Sequence, residues 1–182
     1  MLLSGPSGVG KTTVCDRLLE DPGVTRAITA TTRAPREGEI DGVHYYFRDE
    51  KTFRNEIGAG LFLEWAEVHG RWYGTPKEPL EKQLASGLTV LLSIDVQGAE
   101  DLMSRQVPAL YLFLEPPSVE DLRERLEHRG SESTETIELR LKNALTELDQ
   151  KDRYDHCIVN DDLDRAVGEI LALIQQAKEK TK

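Results

Sequence analysis

The stretch GPSGVGKT, Gly5 to Thr12, constrains this chain more than any other feature, because it dictates what must stand on either side of it. It has the form G-x-x-x-x-G-K-[ST], in which glycines let successive backbone N–H groups turn inward around phosphate oxygens. Lys11 can then reach the β/γ-phosphates, and the Thr12 hydroxyl can hold Mg²⁺. The mechanism needs an apolar strand before the loop and a helix opening at its end. Both are legible: MLLS leads in and KTTVCDRLLE follows. An ordinary glycine turn would require neither. Nucleotide phosphate is therefore the expected ligand, although the loop alone does not separate a kinase from an ATPase or a GTPase.

The same alternation continues down the chain. LTVLLSID (Leu88 to Asp95) and ALYLFLE (Ala109 to Glu115) are continuous apolar runs, the pattern of parallel strands covered on both faces. HCIVND (His156 to Asp161) is a shorter one. Leu163, Val167, Ile170, Leu171 and Ile174 then recur at helical spacing up to a lysine-ended tail. Strands alternating with helices predict an α/β fold with a mainly parallel sheet. Two segments break the rhythm. Residues from about 29 to 79 carry short aromatic strand candidates (VHYYF, LFLEWAEVHG and RWYGT) among many turn residues, and predict a small mixed insertion. Residues from about 119 to 152 are highly charged and helical, interrupted by RGSEST.

Composition narrows the function classes. A chain of 182 residues can bury a core without disulfides or metal. Its net charge of −10, with no Lys/Arg-rich stripe, argues against a nucleic-acid footprint, so any basic cluster is expected to be a local pocket for a small anion. Cys15 and Cys157 lie far apart with no CxxC spacing, which fits a reducing cytoplasm. No apolar run approaches the ~20 residues of a membrane span, and LLSGPSG lacks the basic and apolar regions of a signal peptide. His44, His69, His128 and His156 have no ligand-like spacing and are read as incidental.

Against that acidic background, TTRAPREGEIDGVHYYF (Thr31 to Phe47) stands out. Two arginines three residues apart, followed by tyrosines, are suited to holding an anion by forked, charge-assisted hydrogen bonds. Surface ion pairs with Glu37, Glu39 and Asp41 are the bland alternative.

Taken together, the P-loop, this segment, FLEWAEVHGRWYGT, IDVQG, PPSVEDLRERLEHRG and IVNDDLD resemble the guanylate kinase family in its order and spacing over nearly the whole chain. The resemblance implies a P-loop nucleoside monophosphate kinase fold. Its core would comprise about 1–28, 80–118 and 153–182, with a GMP-binding region at about 29–79 and a helical lid at about 119–152. It implies transfer of a phosphoryl group from ATP to GMP, with Mg²⁺ accompanying the ATP and dGMP as a further acceptor. The ATP site would consist of Gly5, Pro6, Ser7, Gly8, Val9, Gly10, Lys11, Thr12 and Thr13, with Asn160 at the adenine. For Asn160, capping of the last helix is a competing role. Thr12 would hold Mg²⁺, mostly through water.

On the acceptor side, Arg33 and Arg36 would clamp the GMP phosphate, helped by hydroxyls of Tyr45 and Tyr73 and oriented by Glu39. Guanine presents N1–H and N2–H₂ as adjacent donors. Glu64 in LEWA is the matching carboxylate, with Thr75 and Thr29 serving the remaining polar edge. Trp65 and Trp72 are expected to be sheet-face or core aromatics. Phosphoryl transfer asks for positioning and charge neutralisation, for which Lys11 and the lid arginines Arg125, Arg129 and Arg140 are the candidates. Surface ion pairs with Glu120, Glu124 and Glu127 compete for the lid arginines. One departure is visible: where the family commonly has D-x-D after the third core strand, this chain has Ser93 and then Asp95, and the resemblance implies that Asp95 still contributes to the GMP site.

Three alternatives meet the same residues less well. Guanylate-kinase-like interaction modules of scaffold proteins usually lack an intact P-loop, whereas Gly10, Lys11 and Thr12 are all present here. Ribose 1,5-bisphosphate phosphokinase takes an acceptor without a base, which leaves Glu64 and Thr75 nothing to recognise. Adenylate and thymidylate kinases do not suit the EWA…YGT segment.

Overall fold

The computed structural model describes residues 1–68, 70–127 and 134–180. In its first part the chain forms β1 (Leu2–Ser4), α1 (Lys11–Leu18), β2 (Val24–Arg26), β3 (Ala30–Thr31) and β4 (Tyr46–Phe47). Then come α2 (Glu50–Gly58), β5 (Phe62–Val68), β6 (Arg71–Pro76), α3 (Lys77–Leu84), β7 (Thr89–Ser93) and α4 (Val96–Ser104). The last part holds β8 (Tyr111–Glu115), α5 (Val119–Glu127), α6 (Thr134–Leu148), β9 (His156–Val159) and α7 (Leu163–Lys180).

The main sheet runs β2-β7-β1-β8-β9, every neighbouring pair parallel. Its continuous apolar strands follow from coverage on both faces. Leu3, Leu91, Leu112, Leu114 and Ile158 pack with Val14, Leu18, Ile170 and Ile174 of α1 and α7. Leu2, Val90, Leu92, Tyr111 and Phe113 point the other way, onto Ala99 and Leu102 of α4 and onto Tyr154. Each fully buried leucine stabilises by roughly 1.5–3 kcal/mol, so these two layers hold the frame rigid.

The smaller sheet, β4-β3-β6-β5, is mixed: β3 pairs parallel with β4 and antiparallel with β6, and β5 with β6 is antiparallel. Phe53 of α2 stacks on Phe62 at 4.5 Å and makes a satellite core with Ala30, Tyr46 and Trp72. Trp65 leans on Trp72 at 5.3 Å and stays 46% exposed, so both tryptophans are sheet-face aromatics. This is the mixed second sheet expected beside the main one, with a refinement. Of VHYYF only Tyr46 and Phe47 join the sheet, because Val43 and His44 donate their N–H groups to the Ile40 carbonyl in a turn. His44 is also less incidental than its spacing suggested, since its Nδ1 accepts the Ile40 N–H at 3.0 Å. Strands β2 and β3 escaped the sequence reading because three and two residues carry no usable period.

In the charged segment, α5 and α6 form a hairpin closed by Leu122, Leu126, Leu141 and Ala144. His69, His128 and Arg129 lie outside the described residues.

Candidate active site

Between β1 and α1 the P-loop turns through three left-handed glycines, Gly5 (φ 144°), Gly8 (φ 89°) and Gly10 (φ 100°). Space as well as conformation demands them. A side-chain carbon on Gly5 would stand 2.2 Å from the Leu114 carbonyl oxygen, and one on Gly10 would stand 2.6 Å from Asn160 Nδ2. Gly10 is also the N-terminal boundary residue of α1, so the helix opens on unblocked backbone N–H groups, the arrangement that attracts anions. Lys11 Nζ donates to the carbonyls of Gly5 and Pro6, which holds the ammonium over the loop. Pro6 and Val9 are buried and anchor the loop, while Thr12 and Thr13 are exposed on the first turn of α1.

Facing the loop is a cavity of about 250 Å³ between the two sheets, lined by Lys11, Ser93 and Asp95 from the core and by Thr29, Tyr45, Glu64, Tyr73 and other residues of the insertion. Glu64 is 6% exposed, and the Thr75 hydroxyl opposite it across the β5–β6 ladder donates to its Oε1 at 2.5 Å. Burial, reinforced by the negative charges of Asp95 and Asp101 and opposed by the Thr75 bond, pushes the Glu64 carboxyl up to about 7. A buried carboxylate with so little compensation is poised to accept donors from a ligand. Asp95 caps α4, accepting the Gly98 N–H at 2.7 Å, and so contributes a fixed carboxylate to the cavity wall beside Ser93. Thr29 lines the same cavity and its carbonyl accepts the Tyr46 N–H at 2.8 Å.

At the mouth, Arg33 is gripped by Glu39 through Nη2 at 2.8 and 2.9 Å, and Glu39 also accepts the Arg36 N–H at 2.7 Å. The Arg33 guanidinium and the Arg36 amide hold the Glu39 carboxyl down to about 2. Arg33 lies over the Tyr45 ring at 5.4 Å, and Tyr45 meets Tyr73 edge-on at 6.4 Å. The structure therefore brings Arg33, Glu39, Tyr45 and Tyr73 together, with Arg36 exposed beside them.

The helical hairpin closes over the P-loop from the other side. Arg125 donates to the Val9 carbonyl at 3.0 Å and to the Asn160 carbonyl at 2.8 Å, rather than pairing with the glutamates of its own helix. Asn160 Nδ2 donates to the Val9 carbonyl at 2.7 Å, and the capping bond of α7 is made instead by Asp162, which accepts the Arg165 N–H at 2.8 Å. Arg140 donates to the Ser7 hydroxyl at 2.7 Å. Glu147, which the motif reading passed over, accepts the Ser7 N–H at 3.2 Å, and burial pushes its carboxyl up. Its signal was present: seven residues after Arg140, it shares the same face of α6.

The family model described as guanylate kinase matches residues 1–177. A guanylate kinase of Synechococcus sp. (strain CC9311) is 47% identical over 170 residues, covering 93% of this chain and 90% of the relative. One of Synechocystis sp. is 48% identical over 175 residues, covering 96% and 92%. The crystal structure of guanylate kinase from Anaplasma phagocytophilum superposes with a TM-score of 0.77 at 34% identity, covering 97% of this chain and 84% of that one. A shikimate kinase from Bacteroides thetaiotaomicron, at a TM-score of 0.52 and 15% identity, shares the fold alone. A likeness that runs from the phosphate loop through the insertion to the last helix means that this chain belongs to the guanylate kinase family.

Proposed function

We propose that this guanylate kinase seats GMP in the cavity and ATP on the P-loop, and transfers the γ-phosphoryl group to give ADP and GDP. The observation that carries the reading is Glu64, buried, bonded to Thr75 and facing the cavity across from Lys11. Guanine offers two adjacent donors to such a carboxylate, and adenine offers no such pair on that edge. An acceptor that leaves the carboxylate buried and unpaired is rejected strongly. Thr75 and Thr29 supply hydroxyls for the remaining polar edge. Arg33 and Arg36, with Tyr45 and Tyr73, would hold the acceptor phosphate, with Glu39 keeping the Arg33 fork in one orientation.

Lys11 and the P-loop amides would neutralise the phosphates, with Arg140 and Arg125 converging on the same loop; Arg129, expected to act with them, lies outside the described residues. Mg²⁺ accompanying the ATP fits the residues present, because the Thr12 hydroxyl stands exposed on the first turn of α1, beside the helix end that would take the phosphates. The Thr12 hydroxyl would hold the ion together with water and phosphate oxygens, and the ion would supply further charge neutralisation. The insertion at about 29–79 and the hairpin at about 119–152 would close on the core, excluding water that competes with the acceptor. We assign the enzyme to the cytoplasm: Cys15 and Cys157 are both free, and among the described residues no helix is long and apolar enough to cross a membrane.

The test is ADP release from ATP and Mg²⁺ with GMP, dGMP, AMP, UMP and ribose 1,5-bisphosphate as acceptors. Turnover with GMP and little with AMP is expected. Turnover with the sugar bisphosphate alone would overturn the reading.

A further inference from the structure

Strict alternation along FLEWAEV would put Phe62 and Glu64 on the same face of β5. They are not. Phe62 stacks on Phe53 in the outer aromatic cluster, whereas Glu64, Ala66 and Val68 line the cavity on the opposite face. The reversal happens at a β-bulge: Phe62 pairs with Pro76 and Glu64 with Thr75, so Leu63 is an extra residue without a partner across the ladder. Leu63 and Glu64, though consecutive, both turn inward, Leu63 onto the core beside Leu80. A one-residue slip at this point would turn Glu64 out of the cavity.

A bulge frees backbone groups, and the Leu63 carbonyl is taken by a residue of another element. Arg105, just past the end of α4, donates to it through Nη1 at 2.6 Å, and the same nitrogen is held by Asp101 one turn back at 2.8 Å. The other end of α4 also touches Glu64. Gly98 leaves room for the carboxylate, since a side-chain carbon there would lie 3.3 Å from Glu64 Oε2 and 3.3 Å from Asp95 Oδ1. One core helix therefore meets β5 twice, at the Leu63 carbonyl and at the Glu64 carboxylate.

We propose that Arg105, oriented by Asp101, is a positioning residue for guanine recognition, holding the Leu63 bulge so that Glu64 faces the acceptor base. It touches no substrate and acts through Glu64. The inference rests on the assignment of the cavity to GMP.

The experiment measures KM for GMP and for ATP, kcat and the thermal midpoint in Arg105→Ala, Arg105→Lys, Glu64→Ala and the Glu64→Ala/Arg105→Ala pair. Arg105→Ala is expected to raise the GMP KM about three- to tenfold, the effect of one solvent-exposed hydrogen bond, with the ATP KM and the midpoint little changed. Arg105→Lys should recover most of that, because an ammonium can still donate to a carbonyl. In the Glu64→Ala background, removal of Arg105 should add almost nothing, since the group it positions is gone. An unchanged GMP KM in Arg105→Ala, with a raised one in Glu64→Ala, overturns the inference and leaves the cavity assignment standing. An equal rise in both backgrounds also overturns it, by showing that Arg105 does not act through Glu64. An unchanged GMP KM in Glu64→Ala overturns the cavity assignment itself, and this inference with it.

Discussion

Glu64 is where one residue's environment and its chemistry conflict most. In the free protein its carboxyl sits at about 7, pushed up by burial and by Asp95 and Asp101. Only the ionised form can accept two guanine donors, so the apparent KM for GMP should rise as pH falls below about 7. In Glu64→Gln the KM should be high, and that acid limb should flatten; kinetics between pH 5.5 and 8.5 would check both. Lys11→Ala should abolish turnover while circular dichroism stays native, because its side chain donates to the Gly5 and Pro6 carbonyls of the phosphate loop rather than filling one of the apolar layers that hold the sheet. Gly10 is a backbone matter. A methyl there meets the Asn160 amide at 2.6 Å in a conformation that alanine resists, so Gly10→Ala should raise the ATP KM more than the GMP KM.

At the scale of elements, the site is made where segments meet. Glu39 joins the two ends of one loop, and with its carboxyl near 2 it stays ionised through the working range. Glu39→Gln should therefore raise the GMP KM by a factor independent of pH above about 4, the opposite signature from Glu64. A pH-dependent defect in that variant would remove Glu39 from the clamp. On the other side, α6 brings Arg140 and Glu147 to Ser7 together. The P-loop amide that Glu147 holds is of the kind that phosphates use, so Glu147 competes with an incoming anion. Glu147→Gln, which keeps the shape and drops the charge, should lower the ATP KM modestly; steady-state kinetics with GMP saturating would show it.

For the whole molecule, the buried Glu64 carboxyl is a stability cost. A carboxyl whose folded value is raised from 4.5 to about 7 is neutral in both states below 4.5, so it costs nothing there. As pH rises from about 4.5 to 7 the unfolded chain ionises it freely while the fold resists, and the penalty then levels off, at up to about 3 kcal/mol. Glu64→Gln should thus melt several degrees higher than the parent at pH 8, with little difference at pH 4.5. GMP should raise the midpoint of the parent and leave that of the variant nearly unmoved. A lower melting point for the variant at pH 8 would mean that the ionised carboxylate is stabilised within the fold.

The sequence by itself determined the pieces whose physics is local. The glycines, lysine and threonine of the P-loop lie within eight residues. The apolar runs of β7 and β8 need only short-range period, and the arginine-tyrosine segment places its charges within one loop. Tertiary structure alone decided how those pieces face each other. The strand order β2-β7-β1-β8-β9 depends on pairings tens of residues apart. The same is true of Arg125 on the Val9 carbonyl, which spans 116 positions, and of Arg105 on the Leu63 carbonyl, which spans 42. The bulge shows the limit most clearly. Alternation predicts that Glu64 follows Phe62 to the same face, and only the competing demands of Phe53 on one side and α4 on the other turn it into the cavity. Periodicity is a property of neighbours along the chain, whereas the direction a buried carboxylate faces is settled by what packs against it in space.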